Sequence, residues 1–192
     1  MVKERDWSRW RLGAALGLAG GFLVIAVFLV DGAASPSVSP ASNRGTPIQD
    51  TRIPGLVRPV AQTAADANLS DDQLVIGIQV DDRARAYSVD YLSTPQTHVV
   101  NDVLAGRPVT VTYCNVQNCA RVFAGDGADP LDVGVGGYDQ GLLLLLNGQR
   151  YRQESGDGFD SSDRFPYLPQ PFVRTTWKKW REAHPDTEIV GG

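Results

Sequence analysis

The chain has 192 residues, of which 42% are hydrophobic, and its 18 Lys and Arg against 22 Asp and Glu give a formal net charge of −4. From residue 48 onward the acidic excess grows, with 13 basic and 19 acidic side chains and a net charge of −6. Such a balance argues against the electrostatic attraction to nucleic acid or anionic lipid headgroups that a basic domain has. One long apolar stretch, however, exceeds what a soluble core needs.

That stretch, residues 12–30, contains 19 residues without a charge or a proline. At 1.5 Å per residue it is long enough to cross the roughly 30 Å of hydrocarbon in a bilayer. Four basic residues precede it, whereas the first one after it is Arg44. The positive-inside rule therefore predicts a transmembrane helix with residues 1–11 in the cytoplasm and the C-terminal domain in the periplasm or at the cell surface.

A cleaved signal peptide is the alternative, because Gly32, Ala33 and Ala34 offer small residues for cleavage after Ala34. A retained signal anchor is favoured, since the apolar stretch is longer than the usual signal-peptide core of about 7 to 15 residues. Residues 31–50 are rich in Ala, Ser and Pro and predict a flexible linker. Residues 51–192 then form the exported domain.

Short apolar and β-branched runs predict a mainly β domain. Residues 74–80 and 84–87 predict a hairpin across Asp81 and Asp82, and a short helical piece at 89–92 ends before Pro95. A turn at Gly106, Arg107 and Pro108 joins two further predicted strands, of which the second ends at Cys114. The remaining predicted strands are 120–123, 131–135, and 142–146 paired with 149–153 across the Asn147-Gly148 turn, followed by a loop at 154–163.

A helix is predicted near the C-terminus, where Thr175 can serve as the N-cap and Trp177 and Trp180 share one face. His184 lies where this helix ends, ahead of Pro185. Strands and helices do not alternate, so a doubly wound parallel sheet is not expected. The predicted fold class is α+β, mainly β, with antiparallel or mixed sheets and one or two short covering helices, preceded by one transmembrane helix.

Residues 98–123 contain both cysteines and one of the two histidines, so Cys114, Cys119 and His98 are the candidate catalytic residues. The C-x4-C spacing matches neither the C-x2-C of redox proteins nor a zinc site, and no metal site is predicted. Outside the cytoplasm a disulfide is permitted. A disulfide, two buried free thiols, and a reactive pair all remain open.

His98 can stabilise a Cys114 thiolate if the two strands pair, with Asn101 or Asp102 orienting the imidazole ring. The alternative is a histidine bonded to backbone, beside a turn that Asn101 and Asp102 cap. The candidate binding residues lie next to these groups along the chain: Asn101, Asp102, Tyr113 and Gln117.

The sequence resembles a widespread prokaryotic family, domain of unknown function 3179. The blocks that carry the resemblance are IPGLVRP at 53–59, LVIGIQVDDRARAYSVDYL at 74–92, HVVND at 98–102, GRPVTVTYC at 106–114 and VRTTWKKWREAHPDT at 173–187.

Members of that family commonly carry C-x2-C after the Thr-Tyr pair, and some carry selenocysteine there, which implies thiol redox chemistry for those members. Here Cys114 matches the first position, Gln117 stands at the second, and Cys119 lies two residues further on. Thr97 also replaces the usual tryptophan before the histidine. The resemblance therefore implies a domain boundary and the location of a site, but no reaction.

The leading hypothesis is a membrane-anchored extracytoplasmic domain that binds a ligand or performs thiol redox chemistry, with Cys114 attacking and Cys119 resolving. A second is a non-catalytic interaction module in which a Cys114–Cys119 disulfide is structural. A third is copper or another soft metal held by the two thiolates and the imidazole of His98. The expected partners are an unidentified small molecule or protein in the exported compartment and the bilayer around residues 12–30, and no resident cofactor is expected.

Overall fold

The computed structural model describes residues 52–192, and the predicted membrane segment 12–30 and linker 31–50 lie outside them. Within this part of the chain, no helix is both long and apolar enough to cross a bilayer. The described residues form thirteen strands, one 3-10 helix (Tyr91–Ser93) and one α-helix, α1 (Trp177–Ala183). The strands are β1 (Leu56–Val57), β2 (Ala61–Thr63), β3 (Leu74–Val80), β4 (Arg83–Ser88), β5 (Val99–Leu104), β6 (Arg107–Cys114), β7 (Cys119–Ala124), β8 (Gly134–Tyr138), β9 (Leu142–Leu146), β10 (Gln149–Arg152), β11 (Leu168–Pro169), β12 (Val173–Thr176) and β13 (Glu188–Val190).

These strands form three sheets. A central sheet has the order β1-β5-β6-β7-β11, a helix-side sheet has the order β12-β3-β4-β13-β2, and a three-stranded sheet has the order β10-β9-β8. Most neighbours are antiparallel, but β1 pairs with β5 and β13 pairs with β4 in parallel. The predicted mainly β, mixed-sheet fold is therefore confirmed for residues 52–192.

The central sheet is covered on both faces. On one face, Val109 and Val111 of β6 pack with Ile76 and Tyr87 of the helix-side sheet. On the other face, Cys114 belongs to a cluster with leucines of the three-stranded sheet. Because side chains alternate along a strand, β6 sends its odd-numbered residues to the first core and its even-numbered residues to the second.

Helix α1 covers the outer face of the helix-side sheet, as the Trp177 and Trp180 spacing predicted. Both tryptophans are buried. Gly77 of β3 lies directly under the Trp180 ring, where any β-carbon would collide with the indole. The N-cap is Thr176 and not the predicted Thr175, because the strand pairing continues through Thr176, which pairs with Leu74.

Several predicted boundaries are confirmed and others need correction. The hairpins β3–β4 and β9–β10 form as predicted. The turn between β5 and β6 consists of Ala105 and Gly106, at φ +50° and +75°, since Arg107 and Pro108 already pair with β5. The strand predicted at 131–135 instead begins at Gly134 and runs to Tyr138, and the helical piece predicted at 89–92 is the 3-10 helix at Tyr91–Ser93.

A buried ion pair joins the central sheet to the helix-side sheet. Asp102 Oδ2 accepts hydrogen bonds from Arg85 Nη1 at 2.7 Å and from the Tyr87 hydroxyl at 2.7 Å. Arg85 also donates to Glu188 Oε2 at 2.5 Å, and this contact lowers the pKa of the Glu188 carboxyl. Burial raises the pKa of the Tyr87 phenol, and the Asp102 carboxylate raises it further. The network fixes the spacing of the two sheets.

We expect Asp102→Asn to lower the free energy of unfolding by about 3 kcal/mol, because it leaves a buried guanidinium with one carboxylate fewer. Asp81→Asn is the matched control, since the Asp81 and Arg107 side chains form a pair 3.4 Å apart with both partners exposed. Asp81→Asn should lower the free energy of unfolding by less than about 1 kcal/mol. Urea unfolding of the two variants measures the difference, and equal losses would contradict a structural role for the buried network.

Candidate functional site

The hairpin of β6 and β7 holds both cysteines. Cys114 is the last residue of β6, Cys119 is the first of β7, and the two are direct Cα partners across the ladder. Residues directly opposite each other in an antiparallel pair project from the same face of the sheet. Both sulfur atoms therefore lie on the face toward the three-stranded sheet.

The two cysteines are free thiols in this structure, so the predicted disulfide is not formed. Cys114 is completely buried, whereas Cys119 is partly exposed. Opposed Cα atoms in antiparallel strands lie about 4.5 to 5.5 Å apart, which falls inside the range that a disulfide spans. The backbone thus allows a bridge between the sulfurs without a change of register.

Cys119 has a polar environment. Arg121 Nη1 donates a hydrogen bond to Cys119 Sγ at 3.4 Å and another to the Ala120 carbonyl at 2.8 Å. Burial raises the pKa of the Cys119 thiol, the positive charge of Arg121 acts in the opposite direction, and nearby Glu154 raises it again. Burial prevails, so Cys119 carries its proton at neutral pH.

The loop between the cysteines is held by a third strand. Tyr113 donates to Asn118 Oδ1 at 2.8 Å, and Arg174 of β12 donates to the same oxygen at 2.6 Å. The Arg174 guanidinium also lies over the Tyr113 ring, 5.5 Å from its centre. Asn118 has φ +52°, a left-handed conformation that asparagine tolerates well. Tyr113 therefore supports the shape of the loop.

His98 lies immediately before β5, and its carbonyl accepts the Tyr113 N–H at 2.9 Å. The predicted pairing of the histidine and cysteine strands is thus confirmed. The imidazole is buried, with Nδ1 at 2.7 Å from the Leu92 carbonyl. Because a carbonyl only accepts, Nδ1 carries the proton and Nε2 keeps its lone pair in the neutral ring. Burial lowers the pKa of His98, so this neutral form predominates.

Tyr138 connects the histidine with the buried cysteine, and sequence reasoning missed it. The His98 and Tyr138 rings meet edge to face with centroids 6.1 Å apart. Burial raises the pKa of the Tyr138 phenol to about 12, with a second contribution from a negative charge on Cys114. Tyr138 is the last residue of β8, which extends beyond the strand predicted at 131–135. No local motif in the sequence marks this residue.

Two predicted binding residues point away from each other. Asn101 faces the three-stranded sheet, donates to the Val133 carbonyl at 2.7 Å and accepts from Thr110 at 2.7 Å. Asp102 faces the helix-side sheet and belongs to the Arg85 network. Neither side chain makes a hydrogen bond to His98, so the orienting role predicted for them is not seen among the described residues. The backbone carbonyl of Leu92 orients the ring instead.

Gln117 and Gln153 lie near the cysteine hairpin, the first exposed and the second buried. The exposed Gln117 side chain lies over Gly141, which has no β-carbon to obstruct it. The buried Gln153 donates from Nε2 to Thr112 Oγ1 at 2.8 Å and to the Cys119 carbonyl at 3.3 Å. Within residues 52–192, no three His, Cys, Asp or Glu side chains are arranged to hold a metal ion, so the soft-metal hypothesis has no preformed ligand set there.

The burial of neutral His98 predicts a pH dependence of stability. Because the folded-state pKa lies below the ordinary value of 6.5, the unfolded chain binds more protons between those values. The stability that the neutral imidazole contributes is fully present above pH 6.5. It is lost as the pH falls through the folded-state pKa of His98. The difference in unfolding free energy between wild type and His98→Asn should therefore narrow from pH 7.5 to about pH 5. A difference that stays constant would contradict it.

Comparison with known proteins places the chain in a family. Nothing among the curated proteins matches it, and no solved structure matches it. The family described as "Protein of unknown function (DUF3179)" matches residues 50–191, which include every described residue except Gly192. The match covers most of the chain, so this protein is a member of the DUF3179 family.

Proposed function

We propose that the exported domain is a thiol–disulfide redox module whose reactive pair is Cys114 and Cys119. The observation that carries the proposal is their direct opposition across the β6–β7 ladder, with both sulfurs on one face. The two thiols are free, and the backbone geometry allows them to bond. Thiol pairs with these properties can cycle between reduced and oxidised states.

The reaction requires a disulfide-bearing molecule as the oxidant. The Cys119 thiolate attacks one sulfur of that disulfide, forms a mixed disulfide and releases one thiolate. The Cys114 thiolate then attacks the Cys119 sulfur, forms the Cys114–Cys119 bond and releases the second thiolate. The net exchange oxidises two protein thiols and reduces one disulfide to two thiols, with both protons passing to the products.

Burial assigns the roles of the two cysteines in the opposite order to the sequence-based hypothesis. Cys119 is partly exposed and touches a guanidinium, whereas Cys114 is fully enclosed. Only an accessible sulfur can meet an external disulfide, so Cys119 attacks and Cys114 resolves. On the buried side, the Tyr138 ring contacts His98, and Tyr138 lies close enough to Cys114 to feel its charge.

The role assignment is tested with the full-length protein, fully reduced and then exposed to 2-hydroxyethyl disulfide. The mass of the wild-type protein, measured by mass spectrometry, should decrease by two hydrogen atoms, and no adduct should form. Cys114→Ser should stop at a stable mixed disulfide, and Cys119→Ser should not react, because its remaining thiol is buried. Arg121→Gln should slow the reaction, since the pKa of Cys119 rises when the cation is removed, while Arg107→Gln should leave the rate unchanged.

Two results would contradict the proposal. If wild type accumulates only mixed disulfides, the thiols do not pair. If the bridge forms but dithiothreitol cannot reopen it in the folded protein, the cysteines are a structural staple of an interaction module. A redox-active bridge and a structural bridge would both close the six-residue loop and stabilise the fold by about 2 kcal/mol, so stability alone does not separate these two alternatives.

We also propose that residues 12–30 anchor this domain to a membrane as a single-pass segment, with the N-terminus in the cytoplasm. The support is the uncharged length of that stretch and the basic residues before it. A redox module with one accessible thiol suits an exported location, because disulfides persist there.

The anchor is tested by membrane fractionation and protease protection of the full-length protein in a bacterial host. We expect the protein to remain in the membrane pellet after alkaline carbonate extraction, and the C-terminal domain to be digested only from the extracytoplasmic side. Leu23→Arg with Ile25→Arg should release it, because each arginine at the helix centre opposes insertion by about 2.5 kcal/mol or more. A mature protein that begins after Ala34 and stays soluble would contradict the anchor.

A further inference from the structure

A pocket of about 260 Å³ is lined by Arg121 and Gln153, and both of these side chains also contact Cys119. It lies where β7, the end of β10 and the segment before β11 meet. Its walls include the following residues: Arg121, Phe123, Gln153, Glu154, Phe165 and Tyr167. The volume is below the range of about 300 to 1,000 Å³ that is usual for drug-sized ligands, so the pocket suits a group the size of one amino acid.

One wall of the pocket carries a buried acceptor without a donor. Gln153 is 1% exposed, and its Oε1 makes no hydrogen bond within the described chain. The amide cannot be turned round to satisfy it. Thr112 already donates its hydroxyl proton to the Arg121 carbonyl at 3.0 Å, so its oxygen must accept from Gln153, and the Cys119 carbonyl can only accept.

An unpaired buried acceptor costs about 1 to 3 kcal/mol, and such groups mark a site that a water or a ligand completes. Gln153 Oε1 therefore calls for an N–H or O–H donor. The Nε2 of the same side chain donates to the Cys119 carbonyl, so the unpaired oxygen belongs to a residue that holds the backbone of Cys119.

Arg121, on another wall of the pocket, has no carboxylate partner among the described residues. Arg121 donates to the carbonyls of Ala120 and Glu154 and to Cys119 Sγ, but it forms no ion pair among residues 52–192. Its Nη2 has no protein partner there. A partly buried guanidinium with a free edge is a site for a carboxylate.

The third wall is aromatic. The Phe123 and Phe165 rings lie 4.6 Å apart, and Phe165 meets Tyr167 edge to face at 5.5 Å. This surface suits the methylene groups of a small side chain. The pocket thus combines an apolar wall, a guanidinium that also contacts the Cys119 sulfur, and a side chain with an unpaired acceptor.

We propose that this pocket binds the amino-acid portion of a small disulfide such as cystine, with its carboxylate on Arg121 and its amino group on Gln153 Oε1. This inference rests on the proposed thiol redox function and names its substrate class. Glu154, at the mouth of the pocket, adds an attractive charge for the ammonium group. The step is the exchange described above: cystine gives two molecules of cysteine while Cys114 and Cys119 become bonded.

Binding is tested first without chemistry, by calorimetry of the reduced full-length protein with S-methyl-L-cysteine. Its methyl ester lacks the carboxylate, and 3-(methylthio)propanoate lacks the amino group. Each truncation should weaken binding about tenfold, the effect of one lost charge-assisted hydrogen bond. Arg121→Gln should abolish the discrimination against the ester, whereas Arg107→Gln should preserve it. Equal binding of all three compounds, or none at all, overturns the inference.

Oxidation rates then separate this inference from the proposed function. Cystine should oxidise the pair about tenfold faster than uncharged 2-hydroxyethyl disulfide, and Arg121→Gln should bring the ratio of the two rates close to one. The ratio is informative because a changed Cys119 pKa alters both rates alike. If both disulfides oxidise wild type equally, the substrate assignment is wrong and the redox function stands. If neither disulfide oxidises the wild-type protein but S-methyl-L-cysteine binds as expected, the redox function is wrong and the pocket is an amino-acid site.

Discussion

Burial of the central sheet on both faces is the constraint on which the rest of this domain depends. Strand β6 is buried from Pro108 to Cys114, so each of its side chains must suit one of two different cores. Valines at 109 and 111 fill the core under the helix-side sheet, while Thr110, Thr112 and Cys114 face the three-stranded sheet. A one-residue slip would exchange these sets and place the polar groups in the wrong core. The same register places the cysteines opposite each other.

Polar groups inside such a structure must be paired, and nearly all of them are. Asn101 bonds Thr110 and the Val133 carbonyl, and Asp102 bonds Arg85. Gln153 alone keeps a side-chain oxygen without a partner among the described buried groups. The exception belongs to the side chain that donates to the Cys119 carbonyl and lines the pocket that we propose as a ligand site.

The spacing of the cysteines follows from the hairpin. A four-residue connection between Cys114 and Cys119 lets the two strands end as direct partners, so the thiols meet across a ladder and not along a helix turn. The C-x4-C spacing is therefore compatible with a bond between the two sulfurs. The raised pKa of Cys119 means that the thiolate fraction of this residue increases as the pH rises above neutral.

Local patterns in the sequence determined the family, the mainly β class, the two clearest hairpins and the meeting of the His98 and Cys114 strands, because alternation and turn residues act over a few positions. Only the tertiary structure decided that Asp102 serves a sheet-to-sheet ion pair, that Cys119 is the accessible thiol, and that Tyr138 and Gln153 join the site. Strands β12 and β13 pair with β3 and β4 from about 100 residues away in the chain. Contacts over such separations depend on how whole sheets stack, which no local pattern encodes.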